Sequence, residues 1–257
     1  MNNIVFDKDI TFKMDIIDSK DVFLKIEKGI RVNAVLNYIS KVNNVFIDVD
    51  EGAILNLSLL SINELLASSL KINLNENSLI NVYFADFSNG KSKNYILINQ
   101  NGEHIKSSFH LASLTSKEDD KIFNVSLEHN YPNCFGEVIC FGVCKDNSKL
   151  IFEGDSHIKN GSIKTSTSQH AKIMTFDKNS RGIARPCLKI DECDISANHA
   201  AAVGKIPDET VFYLMSRGLK EEAAKELITM GYLRPILKGF ESEELTNDIL
   251  KAIERKM

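Results

Sequence analysis

Two cysteines and a histidine recur at an even spacing of six late in the sequence, at Cys187, Cys193 and His199. Sulfur and imidazole donors bind zinc and iron in proteins, and Glu192 adds a carboxylate beside them. Six residues of extended strand span about 20 Å, whereas a zinc ion is bonded to its ligands at about 2.0–2.3 Å. An unbroken strand would place the three residues on one face. They would then share a metal only with help from a second subunit across a two-fold axis.

The alternative is an ordinary structural role for each of these residues. Most free cysteines are small core side chains, and this is our interpretation of Cys134, Cys140 and Cys144. A lone histidine is more often a hydrogen-bonding residue than a ligand. The remaining histidines lack HExxH-type spacing, although His129 lies close to Cys134 in sequence. The two cysteines of the six-residue pattern stay open between both interpretations.

The composition indicates a soluble globular protein. The chain has 257 residues, 43% hydrophobic and 26% charged, which is enough to bury a large core. A net charge of −4 predicts no nucleic-acid partner. The five cysteines are odd in number, and the first residues do not resemble a signal peptide, so we expect no disulfide framework. No apolar run reaches about 18 residues, so we expect a cytoplasmic protein without a membrane partner.

Between about residues 20 and 200, short segments of alternating apolar and polar residues dominate the sequence. This period is typical of strands with one buried face. Examples are NVFIDVD, AILNLSLLS, LKINLNE, LINVYFADF, YILINQ, IFNVSLEH, EVICFGV and KLIFEG. A sandwich, a barrel and a β-solenoid all fit this pattern. Two-residue Asn-Gly hairpin turns are few, which slightly favours the solenoid, although no repeat period is visible.

Residues 205–257 have a different pattern, which predicts three helices. Pro207 precedes the first helix and Gly218 follows it, and Ser242 is placed to cap the third. These helices have apolar faces and no catalytic motif, so they are a plausible docking surface for another protein. We therefore predict a β-rich part over residues 1–204 and a helical part over 205–257.

Three stretches of the chain carry a family resemblance. They are FEGDSHIKNGSIKTSTSQ, PCLKIDECDISANHAAAVGKI and VFYLMSRGLKEEAAKELI. The first is similar to a segment of the family, one rung of its β-helix, that starts with Phe-x-Gly and has a later glutamine, here Gln169. The second is similar to Pro-x-Leu-x-Ile, Asp-Val and His-Gly-Ala-Thr-Val-Gly, and the third to a Phe-Tyr-Leu-x-Ser-Arg-Gly helix. These patterns are those of the SufB/SufD family, scaffold subunits of the SUF iron–sulfur cluster assembly machinery. The chain departs from them at Ala197, where SufD has a cysteine, and in its short length.

The resemblance implies a mainly β fold, a right-handed parallel β-helix with a small C-terminal helical region. It also implies a non-catalytic scaffold on which an iron–sulfur cluster forms transiently at a subunit interface. His199 matches the family histidine that is implicated in this step. Cys187 and Cys193 have no direct family match, and Glu192 is a weaker carboxylate candidate. In a cluster site, thiolates are the preferred ligands, with imidazole as an occasional substitute.

The resemblance also implies partners. The family binds SufC, an ABC-type ATPase, through the helix that here contains Phe212, Tyr213, Leu214, Ser216 and Arg217. The chain has no Gly-x-x-x-x-Gly-Lys-Ser/Thr motif, so ATP hydrolysis is expected from SufC alone. The other expected partners are a second SufB/SufD-like subunit and a cysteine desulfurase or other sulfur donor. A homodimer is favoured over a heterodimer. The alternatives are a β-helix carbohydrate-active enzyme and a structural SufC-binding factor without metal.

Overall fold

The computed structural model describes residues 2–17 and 21–257 of the chain. In this part of the chain, two parallel sheets of eight strands face each other. The chain alternates between the sheets, so each strand pairs with the strand two positions later in the sequence. This architecture is a parallel β-solenoid, and the prediction of a β-helix core is confirmed.

The odd-numbered strands form sheet A and the even-numbered strands form sheet B. The strands of sheet A are β1 (Asn2–Phe6), β3 (Val22–Ile26), β5 (Val42–Val49), β7 (Ala67–Leu74), β9 (Lys91–Gln100), β11 (Asp120–His129), β13 (Lys149–Ile158) and β15 (Arg181–Ile190). The strands of sheet B are β2 (Ile10–Ile16), β4 (Arg31–Tyr38), β6 (Ile54–Ser61), β8 (Leu79–Asp86), β10 (Lys106–Thr115), β12 (Phe135–Cys144), β14 (Thr165–Thr175) and β16 (Ile195–Lys205).

The length of each solenoid turn increases along the chain. Asn2 pairs with Val22, 20 positions later, whereas Lys149 pairs with Arg181, 32 positions later. The strands lengthen as well, from 5 residues in β1 to 11 in β16. A repeat that grows from turn to turn has no constant period, which explains why no period is visible in the sequence.

The corners between sheet A and sheet B repeat one backbone conformation in successive turns. Gly29, Gly52 and Asn77 have φ values of 73°, 67° and 57°, in the left-handed region. The N–H groups of Gly29 and Gly52 each donate to a carbonyl in the next turn, at 3.0 and 2.9 Å. Glycine and asparagine adopt this conformation more readily than other residues. The corners are therefore equivalent in structure although their residue types differ.

One large apolar cluster fills most of the space between the sheets. The edge of the Phe84 ring packs against Tyr38, with ring centroids 5.6 Å apart, and against Phe123, at 5.8 Å. All three are fully buried. Burying one such side chain stabilises the fold by about 1.5–3 kcal/mol, so stacked turns of the solenoid support one another.

The chain after β16 is the helical segment, residues 208–256. It contains α1 (Asp208–Ser216), α2 (Glu221–Leu233), a 3-10 turn (Arg234–Gly239) and α3 (Glu243–Lys256). None of the described helices is long and apolar enough to cross a membrane. Ser242 lies at the start of α3, but its side chain makes no capping hydrogen bond.

The helical segment packs on the outer face of sheet B. Ile236 of the 3-10 turn and Ile249 of α3 join a second apolar cluster with Leu114 of β10. Gly239 approaches Tyr83 of β8 so closely that any side chain at this position would overlap with the tyrosine ring. Helix α1 behaves differently, because none of its nine residues is buried. Val211 is partly buried and packs against the second apolar cluster, whereas Phe212 and Tyr213 of the same helix are exposed.

Candidate functional site

The last turn of the solenoid is open. In the described part of the chain, β15 pairs only with β13 and β16 only with β14. Most side chains of β16 are exposed. We call β15, β16 and the turn between them, residues 191–194, the open end. Both strands present unpaired backbone groups there, which is a template for pairing with another chain.

The chain does not form an unbroken strand from Cys187 to His199. Strand β15 ends at Ile190 and β16 begins at Ile195. Cys187 therefore lies in sheet A, Cys193 in the connecting turn and His199 in sheet B. All three are exposed at the open end. Within residues 2–17 and 21–257, no three His, Cys, Asp or Glu side chains are arranged to hold a metal ion.

The two strands orient their candidate ligands differently. His199 is in register with Gln169, whose buried side chain points between the sheets. Cys187 is in register with Asp155, which is exposed on the outer side of sheet A. Neighbours in register point to the same side of a sheet. His199 therefore faces the solenoid axis, whereas Cys187 faces away from it.

Glu192 has a structural role in the turn. Its carboxylate accepts hydrogen bonds from the backbone N–H of Cys193, at 2.7 Å, and of Gly161, at 3.0 Å. These two bonds lower the pKa of Glu192. Because Gly161 belongs to the preceding turn of the solenoid, Glu192 joins the last turn to the one below it.

Gln169 of β14 borders the open end and was not among the predicted ligands. Its Nε2 donates to Ser156 Oγ at 2.7 Å and to the backbone oxygen of Cys187 at 3.0 Å. Its Oε1 is buried without a hydrogen-bond partner among the described residues. A Cβ at Gly154 would lie 2.5 Å from this oxygen, so glycine makes room for it. Gln169 thus lies beneath His199 and holds the backbone of β15. A polar residue in a buried, period-two position is the signal that could have identified it.

His129 lies deeper in the solenoid and is fully buried. Its Nδ1 is 2.5 Å from Gln100 Oε1, so this nitrogen carries the proton and donates. Burial, with a smaller effect from His157, lowers the pKa of His129 to about 3. The imidazole is therefore neutral at pH 7. Cys134 Sγ donates instead to the backbone oxygen of Gly102, at 3.3 Å, so nearness in sequence does not pair the cysteine with His129.

The other cysteines are buried, as expected for core residues. Cys134, Cys140 and Cys144 are at most 2% exposed. Burial raises the pKa of all three thiols, that of Cys144 to about 11. A thiol with a raised pKa is a poor nucleophile and a poor metal ligand. Only Cys187 and Cys193 are placed to react at the surface.

The exposed face of α1 carries aromatic residues. Phe212 is 71% exposed and Tyr213 is 57% exposed. The Arg217 guanidinium lies over the Tyr213 ring, 5.3 Å from its centroid, and Ser216 Oγ donates to the Tyr213 backbone oxygen. Leu214 is half-buried. Large exposed apolar groups of this kind are typical of protein–protein contact sites.

The fold and the open end define a class of protein: a β-solenoid with an unpaired last turn and an exposed helix beside it. The family model described as "SUF system FeS cluster assembly, SufBD core domain" matches residues 14–232. The chain therefore belongs to the SufB/SufD family.

Curated relatives agree with this membership. The iron-sulfur cluster assembly protein SufD of Bacillus subtilis is 34% identical over 140 residues, which are 54% of this chain and 32% of the relative. A SufBD family protein of Staphylococcus saprophyticus is 28% identical over 142 residues, 55% of this chain and 30% of the relative. The match thus spans about a third of the length of these relatives.

Proposed function

We propose that this chain is a non-catalytic scaffold subunit for iron–sulfur cluster assembly. The observation that carries the proposal is that His199, Cys187 and Cys193 lie exposed at the open end but do not converge within one chain. Donors of this kind serve a cluster only when a second set of residues faces them. The cluster is cargo, assembled at a subunit interface and then passed on.

The second set comes from another SufB/SufD-like subunit, and a second copy of this chain is sufficient. If two open ends meet about a two-fold axis, each residue near the axis faces its own counterpart. The unpaired edges of β15 and β16 supply the backbone groups for such an interface. A heterodimer with a related subunit uses the same surfaces.

The helical region, residues 205–257, binds a SufC-type ATPase, and residues 1–204 form the scaffold core. The exposed aromatic residues of α1 support this division, because Phe212 and Tyr213 are 71% and 57% exposed and are available to a partner. ATP hydrolysis by the partner would supply work by favouring one arrangement of the two scaffolds over another. A cysteine desulfurase or another donor supplies the sulfur.

Anaerobic reconstitution with a SufC-type ATPase, iron and sulfide tests this function. Absorption spectra report cluster formation, and native mass measurement reports the subunit composition. We expect His199→Ala and the double variant Cys187→Ser with Cys193→Ser to assemble much less cluster than the wild type. His170→Ala, an exposed histidine of β14, is the matched control. Undiminished cluster assembly in both ligand variants would refute the proposed site.

A further inference from the structure

The face of α3 that packs on sheet B contains a lysine. The buried residues of this helix are Leu245, Ile249, Ala252, Ile253 and Lys256. Their spacing follows one side of the helix, so the position of Lys256 continues the apolar stripe. Removing a charge from water costs several kcal/mol unless a partner compensates for it. A leucine would have continued the stripe without this cost, so the lysine requires a specific partner.

That partner is Asp119, in the turn before β11. Lys256 Nζ lies 2.5 Å from Asp119 Oδ2, and the two side chains are only 5% and 7% exposed. The backbone N–H groups of Gly90 and Ser116 also donate to the Asp119 carboxylate, at 2.7 and 3.0 Å. Burial acts to raise the pKa of Asp119, but Lys256 and these N–H groups outweigh it and leave the pKa lowered. The carboxylate is therefore held in orientation independently of α3.

A second buried ion pair, formed by Lys121 and Asp86, lies close enough to Lys256 to affect its pKa. Lys121 Nζ lies 2.9 Å from Asp86 Oδ1, and both side chains are fully buried. Burial lowers the pKa of Lys256 to about 8, and Lys121 adds to this effect, whereas Asp119 and Asp86 oppose it. A charged lysine at this position thus costs free energy that apolar docking of α3 would not require.

A column of hydrogen-bonded turns leads from Asp119 to the open end. In the same turn, the N–H of Lys117 donates to Asp146 Oδ2 at 2.7 Å. The N–H of Asp146 donates in turn to Asp177 Oδ2 at 2.6 Å. Asp177 lies in the turn before β15. The contact point of α3 is thus joined, through three stacked turns, to a strand of the open end.

We propose that the ion pair between Lys256 and Asp119 is a positioning element that holds α3 in one register on sheet B and transmits motion of the helical segment to β15. An apolar stripe tolerates small rotations of a helix, whereas a single buried polar contact selects one register. The transmission part rests on the proposed function, because the motion comes from an ATPase bound at α1.

Hydrogen exchange followed by mass spectrometry on the full chain tests the positioning role. In Lys256→Met, the Asp119 charge stays buried without its cation, so we expect exchange in residues 243–256 to accelerate by about 10-fold or more. Lys251→Met, on the exposed side of the same helix, is the control and should not change it. Asp119→Asn removes the uncompensated charge, so we expect Lys256→Met to accelerate exchange less in the Asp119→Asn background than in the wild type.

Two results would overturn the positioning role. One is equal exchange in Lys256→Met and Lys251→Met. The other is an equal acceleration by Lys256→Met in the wild type and in the Asp119→Asn background, because independent lesions act separately. A lysine that served only through packing of its methylene groups would give this second result.

Experiments with the SufC-type ATPase distinguish a failure of this proposal from a failure of the proposed function. We expect Lys256→Met to bind it with wild-type affinity, because α1 packs on α2 rather than on the ion pair. The ATP-dependent change in exchange over residues 181–190 of the wild type should be lost in this variant. If that change persists, transmission through the ion pair is refuted. If the wild type does not bind the ATPase, the proposed function fails, while the exchange comparison still decides the positioning role.

Discussion

His129 should make the stability of this protein sensitive to mild acid. Its pKa is lowered from 6.5 to about 3 by burial, so the folded state resists protonation while the unfolded state takes up a proton below pH 6.5. The unfolded state therefore binds more protons between pH 6.5 and 3, and stability falls as the pH falls through this range. Since one pKa unit corresponds to about 1.36 kcal/mol, this residue alone should cost about 2 kcal/mol between pH 7 and pH 5.

The variant His129→Gln keeps a polar side chain that can reach Gln100 but has no group that titrates in this range. It starts from a different stability at pH 7, so the measured quantity is the loss between pH 7 and pH 5. Urea unfolding followed by circular dichroism at both pH values gives this loss for each protein. We expect the loss in the variant to be smaller than that of the wild type by about 2 kcal/mol.

The comparison also controls for other titrating groups. Burial and Lys238 lower the pKa of His110, and this residue contributes equally to both proteins. His170→Gln alters an exposed histidine and should lose as much stability as the wild type. If His129→Gln loses as much stability on acidification as the wild type does, His129 is not held neutral by burial, and the reasoning fails.

Three further results are expected. Gly239→Ala should lower stability by about 1–3 kcal/mol, because the added methyl group overlaps with a tyrosine ring of sheet B. Gly231→Ala, in open space within α2, is the control and should not lower stability. Equal melting temperatures of the two variants would contradict the expected overlap. Phe212→Ser should weaken SufC-type ATPase binding by about 10-fold or more without changing the melting temperature, because Phe212 is 71% exposed; unchanged binding would exclude this contact. Iodoacetamide should label Cys187 and Cys193 in the folded protein and the three buried cysteines only after unfolding, as mass mapping would show.

Much of the fold was predictable from the sequence. Each of the eight quoted alternating segments overlaps a strand of the structure, because side chains in a strand alternate between core and solvent. Strand β10 (Lys106–Thr115) is not among the quoted segments, since three serines and a histidine interrupt its apolar pattern. The pairing of strands was not visible in the pattern, and the choice of a solenoid depended on the family resemblance.

Less of the candidate site was predictable. The resemblance pointed to His199 and the helix with Phe212, and the structure leaves both exposed. The equal spacing of Cys187, Cys193 and His199 was misleading, because a turn interrupts the strand after Ile190. Gln169 was missed as a site residue, since its role depends on a strand of the opposite sheet.

By itself, the sequence determined where most of the strands and the helices lie and which residues within one strand share a face, since alternation and helical spacing are local properties. Only the tertiary structure decided how these faces combine. In β15 the even-numbered residues face the core, but after the turn at 191–194 the odd-numbered residues of β16 do. Cys187 and His199 therefore point to different sides despite their even separation. The physical reason is that neighbours in a solenoid lie 20 to 32 positions apart and meet only when its turns stack.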